Sequence, residues 1–406
     1  MASILGLRGT GDWGTDERPK NFRETILWNM PNGMAPLLAL MGRLSDESVD
    51  DPEFSWWEEI LNLQKAQVNQ GGGHAAGDVV INVLSGAFQF VVGDLLGVAV
   101  ESAAGNTAYA AEIMRVVANA TVDTQITVQR GFAGTTAASI PDTTVLVMVG
   151  SSHPEGGSAP RGANRNPTKF NNLTQIFKTV YEMTKTAAKT NIRTGDPVQN
   201  DKKRKMHDHS VAIEMALLFG RKSEIIGDNN KPQRTMAGLL NFVQTNRWIF
   251  QGQGSGANQW GFDNFIDKIH KVFDFNSKEG NERLVFCGNA ALNSLNKLAK
   301  ADAATRINFD GVVKTFGMNL QRWVTPQGEF YFRTHPLFTQ HPVLNEAMLV
   351  IAPSNLRYRY LRGRDTMFED NIQQKGDDAL KGQWLTECSL EVHHEYTMAY
   401  LGNCGG

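Results

Sequence analysis

The chain has 406 residues, 41% of them hydrophobic and 20% charged. That is ordinary globular composition, with material for roughly two or three cores. Its 40 basic and 42 acidic side chains leave a net charge of −2, which excludes a global basic field for nucleic acid and confines any such contact to local patches. Three cysteines, Cys287, Cys388 and Cys404, have no CxxC spacing and argue against a disulfide framework or structural zinc; synthesis in a reducing cytosol is expected.

Residues 1–13 lack a basic region followed by an apolar core, so no signal peptide is expected. Residues 1–50 are rich in glycine and turn formers, with scattered apolar side chains: Ile26, Leu27, Trp28, Leu37, Leu38 and Leu40. Gly11, Gly14, Pro19, Pro31, Gly33 and Pro36 forbid a long helix. The expectation is an extended arm that has apolar contacts to make but no core of its own. Residues 51–76 carry Phe54-Ser55-Trp56-Trp57 and then Gly71-Gly72-Gly73, a flexible joint.

Residues 77–150 read as all-β, because short apolar runs at 79–84, 88–92, 126–128 and 145–149 are broken by Gly or Asp. A small barrel or sandwich inserted into a larger plan is expected. Residues 87–100, the most apolar stretch, are short and interrupted by Asp94; a spanning helix needs about 20 apolar residues, so a soluble protein without a membrane span is expected. Residues 151–169, rich in Pro, Gly, Ser and Asn, read as a linker.

Residues 170–406 are mixed α and β. A helix is expected over 197–222, with Met206, Ser210, Ile213 and Leu217 on one face, widened by Val211, Met215 and Leu218. A second spans 262–273, with Phe262, Phe265, Ile266, Ile269 and Phe273 at helical spacing. Leu284-Val285-Phe286-Cys287 is a buried-strand candidate, leading through Gly288 into a third helix with Leu292, Leu295 and Leu298. Alternation resumes at 328–332 and 348–352, and no fixed-period repeat is present.

Few residues suggest chemistry. Gly252-Gln253-Gly254-Ser255-Gly256 is followed by Ala257-Asn258-Gln259-Trp260 and lacks the Lys-Ser/Thr pair of a phosphate loop, so it reads as a loop. His207-Asp208-His209 and His393-His394 do not converge on a metal, since neighbours so spaced point apart on a helix or a strand. No nucleophile elbow or paired-carboxylate motif appears; no catalytic residue, cofactor or metal is expected. Lys202-Lys203-Arg204-Lys205 is the one dense basic run. It can meet DNA phosphates, form a solvated first turn, or pair with a neighbour's carboxylates. The aromatics at Trp56-Trp57 and Tyr358–Tyr360 read as packing or interface anchors.

An ordered set of strings resembles the major capsid proteins of tailed phages with the Hong Kong 97 fold. The first is Asn32-Gly33-Met34-Ala35-Pro36-Leu37-Leu38-Ala39-Leu40, then Glu53-Phe54-Ser55-Trp56. The second, Thr127-Val128-Gln129-Arg130-Gly131-Phe132-Ala133-Gly134-Thr135-Thr136-Ala137, closes the β insertion. Next come Asn172-Leu173-Thr174-Gln175-Ile176-Phe177, Thr184-Lys185-Thr186-Ala187 and the long helix with Glu214, followed by Arg234-Thr235-Met236-Ala237-Gly238-Leu239. Leu361-Arg362-Gly363-Arg364-Asp365-Thr366 and Thr386-Glu387-Cys388-Ser389-Leu390 complete it.

The resemblance implies an α+β fold of four parts. They are an N-terminal arm (1–50), an extended loop with its all-β insertion (51–169), a peripheral domain with a spine helix (170–232), and an axial domain with returning peripheral strands (233–406). It implies pentamers and hexamers that tile an icosahedral or prolate head around double-stranded DNA. The virion is then the location, the host bacterial cytoplasm the place of assembly, and scaffolding, portal and decoration proteins are partners. The family's charged helical pre-domain is not seen, which points to a separate scaffold, and its covalent cross-link does not map onto this chain. Trp28, Leu37, Leu38, Trp56 and Trp57 become candidate inter-subunit anchors, and Lys202, Lys203, Arg204 and Lys205 a DNA-facing or inter-subunit run. An encapsulin-like shell, a tail or decoration protein, and an enzyme with an unrecognised site remain the alternatives.

Overall fold

The computed structural model describes residues 35–42, 46–60, 64–99, 112–190, 192, 195–256, 258–275, 280–301, 309–315 and 318–405. Trp28, with most of the expected arm, lies outside them. The chain divides into two compact units, Met1–Trp56 with Phe170–Gly406, and Trp57–Lys169.

In the inserted unit, six strands follow one another in the order Lys65–Gln67, Val145–Ser151, Asp94–Ala99, Ile113–Ala118, Gln125–Phe132 and Val80–Asn82, all antiparallel. A bridge between Val68 and Val83 joins the two ends of that order, with Leu84 N–H bonded to Gln67 O at 2.8 Å. The sheet thereby closes into a barrel and leaves neither end strand as a bare edge. Alternate side chains, such as Ile81, Leu96, Val98, Met114, Val116, Ile126, Val128 and Leu146, fill its interior. Buried Glu112 binds Arg130 through both oxygens at 2.7 Å and also accepts the N–H groups of Gly131 and Ala138. Burial alone would raise its pKa. The Arg130 guanidinium and the two N–H groups outweigh that and hold the carboxyl below the usual range.

The larger unit is built mainly on two large sheets. In one, the 14-residue strand Ala379–Val392 pairs antiparallel with Gln175–Thr184 over ten residues and with Leu356–Leu361 on its other side. Asp46–Val49 adds to Leu356–Leu361 in parallel. Helix Pro197–Phe219 packs on the long antiparallel strand pair, Gln175–Thr184 with Ala379–Val392. Asp196 caps its start, accepting Val198 N–H at 2.9 Å, and Pro197 occupies the first turn, where a missing N–H costs nothing.

The buried stripe of this helix is His209, Ile213, Glu214, Leu217 and Leu218; Met206 and Met215, expected inside, face solvent. The helix stops three residues before the expected 222 because Gly220 meets Gly238. Gly238 N–H bonds Gly220 O at 2.9 Å, and a Cβ on Gly238 would sit 2.6 Å from Ala216 O.

The second sheet has seven strands, ordered Arg247–Ile249, Ala399–Gly402, Met348–Ile351, Glu282–Cys287, Glu329–Thr334, Met318–Val324 and Phe309–Thr315. Its central strands are covered on both faces, which explains their unbroken apolar runs. Leu284 and Phe286 join one core with the long helix, while Val285 and Cys287 join another beneath Phe265, Ile269 and Leu295. The helix expected over 262–273 is α-helical over Phe262–Ile269 and tightens to a 3-10 turn over His270–Phe273.

Candidate functional site

Residues 35–42, expected to reach outward, finish inside their own molecule. In the six-residue helix Pro36–Met41, Leu37, Leu40 and Met41 are fully buried in the core with Ile213 and Leu217. Leu38 is half-buried against the same cluster. The cause is the buried Glu214 carboxylate on the long helix. It accepts Leu37 N–H at 2.8 Å and Leu38 N–H at 2.7 Å, satisfying N–H groups that a helix start leaves unpaired.

His335 completes this clamp. Its Nδ1 accepts Leu337 N–H at 3.2 Å, which leaves the proton on Nε2 to donate to Glu214 at 2.7 Å. An inter-subunit role for Leu37 is therefore corrected: its apolar surface is already used. The sequence named Glu214 only within the resemblance and gave it no role, although an acid among Ile213, Leu217 and Leu218 on the buried face was the available signal.

Trp56 is likewise buried, among Phe54, Phe170, Phe242 and His393 with ring centroids about 6 Å away. It is a packing residue of its own unit. Trp57, the next residue along the strand Glu53–Glu58, points the other way and is 63% exposed, so it stays available to another chain.

Three of the four side chains in the basic run have acidic partners, while Lys203 is exposed with no ion pair among the described residues. Lys202 bonds Asp370 at 3.2 Å and lies over the Phe368 ring at 4.6 Å; Arg204 pairs with Asp201 and Lys205 with Asp208, each three residues away on the helix. The run lies in the second and third turns of the helix rather than the first, with three of its charges paired, and its role toward DNA or a neighbouring copy is left as a proposal. Further along the helix, buried His209 lies between the hydroxyls of Thr179 at 3.0 Å and Thr386 at 2.8 Å. Burial holds its pKa below the ordinary value.

Other charges are tied down within the larger unit. Arg359 bridges Glu47 and the buried Glu391, which also binds His393, and Arg364 meets Glu387. Among the described residues, no three His, Cys, Asp or Glu side chains are placed to hold a metal, and no helix is long and apolar enough to cross a membrane. A groove of about 540 Å³ runs between Gln175, Ile176, Lys178 and the hairpin residues Pro232, Gln233 and Arg234.

The family model described as SU10 major capsid protein matches residues 8–404. The major capsid protein of Pseudomonas phage PaMx41 is 22% identical over 391 residues, covering 92% of this chain and 89% of that protein. Among solved structures, the capsid of an empty GTA particle aligns with a TM-score of 0.47 and 8% identity over 95% of both chains. A structure from Mycobacterium phage Bobi aligns with a TM-score of 0.44 and 6% identity, again over 95% of both. The SrpI encapsulin of Synechococcus elongatus PCC 7942 aligns at 0.40 and 13% identity, over 59% of this chain and 76% of that one.

Proposed function

Because the chain belongs to the SU10 major capsid protein family and is a phage major capsid protein, we propose that its α+β architecture is a Hong Kong 97-like fold and that it closes its shell through pentamers and hexamers around double-stranded DNA. The family match over residues 8–404 carries this reading. In the proposed layout, the long antiparallel strand pair and helix Pro197–Phe219 form the peripheral domain, the seven-stranded sheet the axial domain, and the barrel an insertion in the extended loop. Glu214 clamps the chain at Leu37 and Leu38, so the proposed arm is assigned to residues 1–34, which lie outside the described residues.

Trp28, within that segment, and exposed Trp57 remain the proposed anchors on adjoining copies. Their burial upon assembly offsets the chain entropy that the reaching segment loses. Scaffolding, portal and decoration proteins act with it, assembly takes place in the host cytoplasm, and any DNA contact is local, as the near-neutral charge requires.

Deletion of residues 1–34 tests the layout. The shortened chain is expected to stay folded and soluble, because its described cores are intact, but to yield no closed shells by sedimentation and electron microscopy when co-expressed with its neighbouring gene products. Shells at the level of the full chain would refute the assignment of that segment.

A further inference from the structure

Between the long helix and the seven-stranded sheet, the chain makes a small hairpin, Ser223–Ile226 against Pro232–Thr235, which forms a two-stranded sheet of its own. It is firmly built. Glu224 pairs with Arg234 at 3.1 Å, Thr235 Oγ1 donates to Arg221 O at 2.7 Å, and Gly227 N–H bonds Lys231 O at 2.8 Å across the turn. Asn229 also accepts Lys231 N–H at 3.1 Å, and Asn230 takes the left-handed conformation the turn needs.

Two features of this hairpin have no use within one molecule. Ile225 and Ile226 are 57% and 78% exposed. Consecutive strand residues point to opposite faces, so each face of the ribbon carries one bare β-branched side chain. A ribbon of two strands buries neither, and one flat neighbour could cover only one. In addition, the tip carries Asp228 and Lys231, of opposite charge, and neither has an ion-pair partner among the described residues, whereas Glu224 and Arg234 neutralise each other.

We propose that this hairpin is a junction element that inserts between two neighbouring copies of the same chain, one covering each isoleucine, and that Asp228 of each tip pairs with Lys231 of the next. The charges argue for identical partners. A tip bearing one acid and one base, set by a rigid turn, complements another copy of itself in a head-to-tail arrangement about a rotation axis, where every copy gives and receives one pair. A partner of a single charge sign would match one residue and repel the other. The inference rests on the self-assembly proposed above and adds where copies meet and by what chemistry.

Charge reversal on the full chain tests it, with particles counted by electron microscopy after co-expression with the neighbouring gene products. Asp228→Lys or Lys231→Asp gives every tip two like charges, and each is expected to lower the yield of closed shells about tenfold or more. The double variant D228K/K231D restores the alternation and is expected to return the yield to about the unsubstituted level. Ile225→Ser with Ile226→Ser is expected to lower it without changing the far-ultraviolet circular dichroism of the free subunit, since both side chains lie outside the cores. Normal yields from both single reversals, or no recovery in the double variant, would overturn the proposal. So would reversals that leave shells intact and abolish only the binding of a different protein. If the unsubstituted chain gave no particles, self-assembly itself would fall; particles from it and equally from both single reversals would remove the hairpin assignment alone.

Discussion

Glu214 shows what one side chain decides in this protein. Its carboxylate is fully buried, accepts two backbone N–H groups and the His335 imidazole, and so fixes where residues 35–42 enter the core. Glu214→Ala would strand three buried donors. A loss of about 3–5 kcal/mol is expected, read from urea denaturation of the free subunit; a loss below about 1 kcal/mol would show that water replaces the clamp. His209 gives a pH dependence. Burial depresses its folded pKa, so below the unfolded value, about 6.5, the unfolded chain binds a proton that the folded chain refuses. Stability is then complete above that pH and falls as pH drops below it toward the folded pKa. Denaturation midpoints between pH 5 and 8 should show this fall, and His209→Gln should flatten it. At this scale the sequence was least legible. Leu37 and Trp56 look like any other apolar residues in a glycine-rich stretch, and nothing local states that a carboxylate some 177 positions away receives the first.

Elements were more legible where a pattern has one physical cause. The unbroken run at 284–287 announced a strand covered on both faces, and it lies between two cores. The short apolar run at 126–128 marked a strand, and its Ile126 and Val128 line the barrel. What periodicity could not supply was contact between distant segments. Closure of the barrel depends on Val68 meeting Val83, and the end of the long helix depends on Gly220 meeting Gly238. The face of that helix was misread because Met206 and Met215 are apolar yet exposed, while His209 and Glu214 are polar yet buried through their hydrogen bonds. Gly238→Ala tests the backbone crossing. The added methyl would fall 2.6 Å from Ala216 O and 2.8 Å from Leu217 O, both main-chain atoms that cannot swing aside. A loss of about 3 kcal/mol or more is expected in thermal or urea unfolding, and a neutral result would mean that the helix end moves freely.

At the scale of the whole molecule, the ordered strings from residue 32 to residue 390 were enough to suggest a capsid subunit, and the family match over residues 8–404 agrees. The individual anchors were harder to read, because a subunit built to assemble presents the same kinds of side chain to its own core and to its neighbours. Burial separates them: Leu37 and Trp56 serve the chain itself, whereas Trp57, Ile225 and Ile226 are left exposed. Such surface is tolerable in a subunit whose working state is an assembly, since many modest contacts act together once a ring closes. The most direct measurement is electron microscopy of the purified full chain, alone and with its neighbouring gene products. The account predicts capsomer rings and closed shells of one repeating subunit, with Trp57 covered by an adjoining copy. Persistent monomers under both conditions, or shells in which Trp57 stays bare to solvent, would contradict it.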